Sequence, residues 1–158
     1  MYVRRARISD SDKLVELIKV MTKEHNNLKS RKKQNMPKID LDVVKDEIFD
    51  TLVLGTSAIA GFVAAKEDDI VGFTLVYLDK SPYTGRKIGK KRFWFVHPEH
   101  RKGMTALKLF QKAMDWWHEK GVEYIKVGHW EGSKDVEAFY RKLGFKPEVK
   151  YYTMEVNN

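Results

Sequence analysis

The sequence predicts a single α/β domain over residues 1–158, with a mixed sheet and the element order β-α-α-β-β-β-α-β-α-β. A length of 158 residues suits one domain, and a hydrophobic fraction of 42% suffices for a core. The spacing of apolar residues is helical at first, becomes strand-like from Ser57, and then alternates between the two. Strands and helices that alternate without a repeat or a linker indicate one sheet covered by helices.

The first third of the chain is predicted to form a strand and two helices. Tyr2–Ala6 is a short β-rich run. Ser9, with Asp12 three residues later, predicts a capping box at the start of a helix over residues 10–25. Asp40 is predicted to cap the second helix. The apolar face of this second helix is expected at Val43, Val44, Ile48 and Leu52.

The middle third is predicted to form three strands. The runs 58–66 and 70–78 are rich in β-forming residues, and the polar residues 67–69 between them indicate a hairpin. A third strand is expected at residues 92–97. The connection before it is predicted to be a long loop, marked by Pro82, Gly85 and Gly89.

The last third is predicted to continue as helix, strand, helix and strand. The first helix begins after Gly103, and the strand, helix and strand are expected at 122–130, 133–143 and 150–156. Gly144 is expected to end the second helix, since a helix commonly stops at a left-handed glycine. The first helix carries a wide apolar stripe formed by Leu107, Phe110, Met114 and Trp117, with Ala106, Leu109 and Ala113 beside it.

The net charge of +8 is concentrated in two segments. Residues 29–38 and 80–92 contain no acid and hold eleven of the 30 basic residues, so the rest of the chain has three more acids than bases. Positive segments favour anionic ligands. They therefore indicate an acidic or phosphate-bearing ligand, or a nucleic acid, rather than a cationic partner.

Composition also excludes several classes of function. The absence of cysteine excludes disulfides, thiolate metal sites and a cysteine nucleophile. No apolar run approaches the roughly 18 residues that a membrane span needs, so we expect a cytoplasmic protein with no membrane partner. His97 and His100 lack further ligands at usable spacing, and we expect no metal site.

Residues 93–107 are the most informative stretch. They read as a strand, a short polar turn that contains Gly103, and the start of an amphipathic helix. Free backbone N–H groups and the helix dipole make such a helix start an anion site, and Arg101 and Lys102 add positive charge there. The stretch predicts a pyrophosphate cradle; the alternative is a basic turn that only links strand to helix.

This stretch resembles motif A of the GNAT N-acetyltransferase superfamily, a strand ending in V-x-P-x-x-R followed by x-x-G-x-G/A and a helix that begins with Leu. Residues 133–145, with Phe139-Tyr140 before Leu143-Gly144-Phe145, resemble its motif B. The resemblance covers residues 58–156. It departs from the family pattern at His100, where Gln or Arg is frequent, at Thr105, where Gly or Ala is usual, and at Ser133, which often is Asn.

The resemblance implies an acetyl-CoA-dependent N-acetyltransferase that acts on a primary amine by direct attack. Acetyl-CoA would lie between the diverging strands 92–97 and 122–130, with the backbone N–H of Val96 directed at the oxyanion. Tyr140 would stand near the sulfur and give the departing thiolate a proton as general acid. The cofactor-binding residues implied are Phe95, Val96, His100, Arg101, Lys102, Gly103, Met104, Thr105, Ala106, Ser133 and Tyr140.

An acceptor amine must also lose a proton, because a free lysine amine has a pKa of about 10.4. Candidate bases are Glu131, then His129, and Glu24 or His25 at the end of the first helix. Strand alternation puts His129 and Glu131 on one side if the strand continues that far. Trp130, Glu24 and His25 are predicted to contact the acceptor.

Two alternatives to this function stay open. The first is an acyltransferase that acts on a nucleic acid or a nucleic-acid-bound target, with residues 29–38 and 80–92 holding phosphates. The second is a non-catalytic CoA-binding module. The C-terminal segment 144–156 is too short for a long hairpin, so the acceptor side is expected to be open unless a second subunit covers it in a homodimer.

Overall fold

The first compact unit of the protein, residues 1–128, carries the whole sheet. A computed structural model describes residues 1–34, 36–54 and 56–156, with the backbone alone at 52–54. The strands lie in chain order, antiparallel except for the parallel pair β4–β5, so the predicted mixed sheet is confirmed. Their bounds are β1 Tyr2–Arg5, β2 Ile59–Lys66, β3 Asp69–Lys80, β4 Lys87–Val96 and β5 Tyr124–Lys126.

Helices cover both faces of this sheet. Their bounds are α1 Ser11–Asn26, α2 Lys29–Lys33, α3 Leu41–Leu54 and α4 Thr105–Glu119. α1 and α3 share a core with Phe73 and Phe95 of the sheet. α4 packs on the opposite face with Val76 and Val96, because neighbouring strand residues point to opposite sides. None of the described helices combines the length and apolarity needed to cross a bilayer.

The start of α1 is capped differently from the prediction. Ser9 lies in a short 3₁₀ turn over Ile8–Asp10, so the predicted capping box is wrong. The Asp10 carboxylate instead accepts the backbone N–H of Arg7 at 2.8 Å and both guanidinium nitrogens of Arg4 at 2.8 Å. The hydrogen bonds from Arg4 hold the pKa of the buried Asp10 below its ordinary value, and the pair fixes β1 to the helix start.

The cap of α3 is confirmed. Asp40 Oδ1 accepts the N–H groups of Asp42 at 2.9 Å and Val43 at 3.2 Å. Ile48 is buried as expected, but Val43 is 64% exposed, so the predicted apolar face is wrong at that position. The side chain of Leu52 lies outside the described part of the chain.

The predicted β2–β3 hairpin is confirmed, with Glu67 in the left-handed region at a φ of 54°. β4 begins at Lys87 rather than Arg92, so Gly89 belongs to a strand and not to a loop. Trp117 leaves no room for a side chain at position 89, because a Cβ there would lie 2.6 Å from the indole Cδ1 and Nε1. The sequence predicted a loop at Gly89, but the glycine is required there by its packing against Trp117.

β5 is much shorter than the predicted strand 122–130 and pairs with β4 only at Ile88, Gly89 and Lys90. Beyond Lys90, no described strand pairs with residues 91–96 of β4 on this side. The edge of β4 that faces away from β3 is therefore open, which is the divergence that the family resemblance implies.

The described part of the second compact unit, residues 129–156, contains one helix, α5 (Lys134–Lys142). Ser133 holds its N-cap position, and Gly144 follows the helix with a φ of +94°, which confirms the predicted stop. The predicted strand at 150–156 is wrong: these residues are exposed and form no regular element. Alternating side chains alone do not make a strand without a partner that satisfies the backbone.

Candidate functional site

The open edge of β4 presents backbone groups of alternate residues. His97 N donates to Val71 O of β3 at 2.8 Å, so the N–H and C=O of Phe95 face β3 as well. The N–H groups of Trp94 and Val96 then face the open edge. The predicted backbone contact of Val96 fits this arrangement, but that of Phe95 does not. Trp94 offers the second N–H on this edge, and strand alternation alone was the signal that could have found it.

The turn after β4 leaves a row of backbone donors without acceptors. Pro98–His100 form a 3₁₀ turn, and the first backbone hydrogen bond of α4 runs from Lys108 N to Met104 O at 2.9 Å. Within the described ranges, the N–H groups of residues 103–107 have no acceptor. With the helix dipole behind them, these donors can bind a phosphate or pyrophosphate.

Gly103, within this turn, borders open space. No heavy atom lies within 4 Å of the Cβ position that a side chain would occupy there, and its φ is not in the left-handed region. Neither the backbone conformation nor packing therefore requires glycine at this position. Thr105, where the family usually has Gly or Ala, is buried and leaves the outer surface of the turn clear.

Arg101 ties this turn to the end of α1. Its Nε donates to Val96 O at 2.9 Å, and its Nη2 donates to both carboxylate oxygens of Glu24 at 2.8 and 2.9 Å. The guanidinium also lies 5.2 Å from the ring centre of Phe95. Glu24 and Arg101, predicted for acceptor and cofactor respectively, thus form one ion pair.

His25 lies beside that ion pair, with its ring edge-on to Phe95 at 6.2 Å. Burial is the main cause that lowers its pKa below the ordinary value, and the charges of Lys91, Arg31 and Arg101 lower it further, against Glu24, which raises it. His25 is therefore neutral at pH 7 and can accept a proton.

Lys91 lies where β4 and β5 separate, one residue past the last pair, Lys90 with Lys126. Its Nζ donates to Gly128 O at 2.6 Å, across the opening between the two strands. Burial lowers the pKa of Lys91 to about 8. The sequence placed this residue in a basic loop, so it was missed as a candidate; no local pattern distinguishes it from its neighbours.

Of the predicted residues of the second unit, His129 lies beside Tyr140. Its ring is buried and lies 6.1 Å from His129 and 5.6 Å from Phe145, and burial raises its pKa well above the ordinary value. Glu131 and Trp130 are exposed. His129 Nδ1 is 2.8 Å from Trp130 O. The condition for placing His129 and Glu131 on one side is not met, because β5 ends at Lys126.

Half of the positive charges of the basic segment 80–92 are compensated by acidic residues outside the segment. Acidic partners lie beside three of its side chains: Glu123 beside Arg86, Asp79 beside Lys90 and Glu47 beside Arg92. Lys87 donates to a backbone carbonyl at 2.7 Å. The segment is acid-free only along the chain, because three of its six positive charges lie beside carboxylates in the fold.

The basic segment 29–38 keeps most of its charge at the surface. Arg31 is buried in α2 and donates to Pro37 O at 2.5 Å. The other four are exposed, and none has an acidic partner among the described residues: Lys29, Lys32, Lys33 and Lys38. We call these four residues the lysine patch.

A group of three potential metal ligands lies in the turn after β4. Ligand atoms of His97, Glu99 and His100 fall within 4.8 Å of one another, which adds Glu99 to the two histidines considered in the sequence. His97 Nδ1 already accepts the backbone N–H of Glu99 at 3.3 Å. That contact gives this ring a structural role in the turn.

Comparison with known proteins agrees with this arrangement. The acetyltransferase (GNAT) domain family matches residues 58–147. The fold is similar to a ribosomal-protein-alanine N-acetyltransferase from Brucella melitensis biovar Abortus 2308 (16% identity, 99% and 100% of the two chains, TM-score 0.72). It is also similar to an acetyltransferase from Trypanosoma brucei (20%, 98% and 98%, TM-score 0.70).

A third similar structure is an aminoglycoside acetyltransferase from an uncultured soil metagenomic sample (18% identity, 98% and 95% of the two chains, TM-score 0.70). No curated protein sequence gives a significant match. The family match spans more than half of the chain and includes the open edge of β4 and its donor-rich turn. The chain therefore belongs to the GNAT acetyltransferase family, whose members use acetyl-CoA as the acetyl donor.

Proposed function

We propose that this acetyltransferase moves the acetyl group of acetyl-CoA directly to a primary amine of an acidic protein or peptide. The observation that carries the cofactor part is the row of unsatisfied N–H groups at 103–107, next to the open edge of β4. A pyrophosphate satisfies those donors, and the open edge offers N–H groups to an amide-bearing arm and to the oxyanion at Val96.

His25 is the proposed base for the acceptor amine. It packs on Phe95, next to Val96 in sequence, and its environment keeps the ring neutral at pH 7. As the amine nitrogen bonds to the acetyl carbon, the nitrogen loses a proton to the imidazole. His129 and Glu131 remain alternatives in the second unit, but the strand expected to orient them ends at Lys126.

Tyr140 is proposed as a hydrogen-bond donor to the sulfur, on the strength of its position in motif B. Because burial raises its pKa, the phenol stays protonated throughout the neutral range and can donate. The same burial makes it reluctant to release that proton completely.

The lysine patch supports an acidic acceptor. Four exposed ammonium groups repel a polycation, so an aminoglycoside, the substrate named for one similar structure, suits this chain less than an acid-flanked amine. The nucleic-acid alternative is weakened, since three of the side chains in 80–92 that it needs already pair with acids.

Isotopically labelled acetyl-CoA tests the proposed function. The purified protein is incubated with peptides that differ only in acidic or basic residues around one lysine, with an aminoglycoside, and with RNA and DNA. Mass spectrometry is expected to find the label on the amine of acid-flanked peptides. Cofactor binding with no labelled acceptor instead supports the non-catalytic module, and label on RNA or DNA supports the nucleic-acid alternative.

Substitution of His25 tests its role as base. H25Q is expected to lower the rate of acetyl transfer about 100-fold, the lower end of general-base effects, without changing acetyl-CoA affinity. Since burial lowers the pKa of His25, the wild-type rate is expected to hold at pH 6.5 and to fall at lower pH as the ring becomes charged. H118Q, at an exposed position late in α4, is the matched control; a loss of rate equal in both variants contradicts the assignment.

A further inference from the structure

The open edge of β4 ends where β4 pairs with β5, and Lys91 lies at that end. From Val96 back to Lys91 the edge is about 16 Å long at the ~3.3 Å rise of a strand residue. Pairing with β5 closes it at Lys90. An arm that starts from the anion cradle at 103–107 and follows this edge therefore ends beside Lys91. This step rests on the proposed function.

The side chain of Lys91 spans that end. Its Nζ donates to Gly128 O at 2.6 Å, so the ammonium is held between β4 and the segment that follows β5. Neighbouring cations of β4 have other partners, Lys90 with Asp79 and Arg92 with Glu47. Lys91 is thus the cation of this strand that is held across the opening.

A cation at the end of the open edge can stabilise the thiolate leaving group. Breaking a thioester releases a thiolate, which a nearby ammonium stabilises and lowers in pKa. A donor whose pKa is close to that of the thiol, about 8.5, transfers a proton with little cost in either direction. Lys91 meets this condition with a pKa of about 8, whereas the pKa of Tyr140 is raised far above it.

We propose that the Lys91 ammonium is the proton donor to the departing sulfur of CoA. As the acceptor nitrogen bonds to the acetyl carbon, the C–S bond breaks and its electron pair stays on the sulfur. Lys91 Nζ gives one proton to that sulfur, and His25 takes one proton from the acceptor nitrogen. Exchange with water then restores both side chains.

The charged groups around Lys91 define how it responds to pH. Lys90 and Arg92 flank it on β4, each beside its carboxylate. From α1, His25 faces the same charge, since Lys91 lowers the pKa of that ring. The segment after β5 contributes the Gly128 carbonyl. Burial is the cause of the lowered pKa of Lys91, so removing a neighbouring charge is expected to change it little.

Titration of the CoA thiol on the protein tests the proposal without any acceptor. Thiolate absorbance is followed against pH for CoA bound to the wild type, K91M, K91R and K90M. The wild type and K91R are expected to lower the thiol pKa by about one unit, a tenfold change in ionisation, because both carry a charge there. K91M is expected to remove this shift, and K90M, which alters a cation held by Asp79, to leave it.

The pH dependence of transfer to the labelled peptide separates charge from proton donation. The wild-type rate is expected to fall above about pH 8, where Lys91 loses its proton. K91R holds its proton at all these pH values. It should be about tenfold slower at pH 7 and show no such fall. Melting temperatures confirm that each variant is folded, and K91R retains a donor for Gly128.

Three results overturn the proposal. If the thiol pKa of bound CoA is the same in K91M as in the wild type, Lys91 is not at the sulfur. An alkaline fall that persists in K91R assigns that titration to another group. A stable acetyl group on Lys91 after incubation with acetyl-CoA alone makes it an acceptor rather than an acid. Failure of every variant and of the wild type to bind CoA contradicts the proposed function itself.

Discussion

Replacement of Gly103 by Trp is expected to weaken acetyl-CoA binding at least 1,000-fold, or by roughly 4 kcal/mol, without unfolding the protein. The Cβ position of Gly103 meets no heavy atom within 4 Å, so an indole there enters open space in the absence of ligand. Gly103 belongs to the turn whose N–H groups, 103–107, have no acceptor among the described residues. Two or three charge-assisted hydrogen bonds, at about 1.5–3 kcal/mol each, account for the loss.

The measurement is calorimetric titration with acetyl-CoA, together with a melting curve. G103A adds one carbon to the same space and is expected to bind far better than G103W. K112W places the same indole on an exposed position of α4 and should bind like the wild type. Normal affinity in G103W places the pyrophosphate elsewhere and removes the main support for the cofactor site.

The parts of the site that the sequence predicted are those with local causes. The donor row at 103–107 follows from a strand, a turn and a helix start that lie next to one another in the chain, and the cap at Asp40 follows from its own two neighbours. The β2–β3 hairpin and the end of α5 at Gly144 were also predicted, because each depends on residues close together in the sequence. Such features need no knowledge of distant residues.

The parts that it could not predict depend on distant partners. The ion pair of Glu24 with Arg101 joins residues 77 positions apart, and that of Arg92 with Glu47 joins residues 45 positions apart. β5 stops at Lys126 although residues further on have strand-like patterning, because pairing with β4 extends only to Lys90. For the same reason Lys91, with its buried ammonium, could not be distinguished from the other lysines of β4 by counting charges along the chain.

Gly89 illustrates how a distant partner fixes the geometry of the site. It pairs with Ile125 of β5 directly before β4 and β5 separate. Trp117 of α4 lies over it, buried, and its indole Nε1 has no hydrogen-bond partner among the described residues. Close packing of this indole on the strand therefore holds the sheet where the open edge begins, two residues from Lys91.

A side chain at Gly89 is accordingly expected to destabilise the fold strongly. In G89V a Cβ would approach the Trp117 ring to 2.6 Å, and ring and strand must both shift. Overpacking of this kind costs about 3 kcal/mol. Urea denaturation measures the free energy of unfolding, and G128A, whose Cβ meets nothing within 4 Å, is the control expected to stay within about 0.5 kcal/mol of the wild type.

The clash with Trp117 predicts that the two positions are coupled. W117F alone loses buried area, but in the presence of G89V the smaller ring leaves room for the new side chain. The double variant is expected to be more stable than the sum of the single effects by about 1–2 kcal/mol. Additive effects would show that Gly89 is required by the β4–β5 pairing itself. The indole would then not be what holds β4 in place at the start of its open edge.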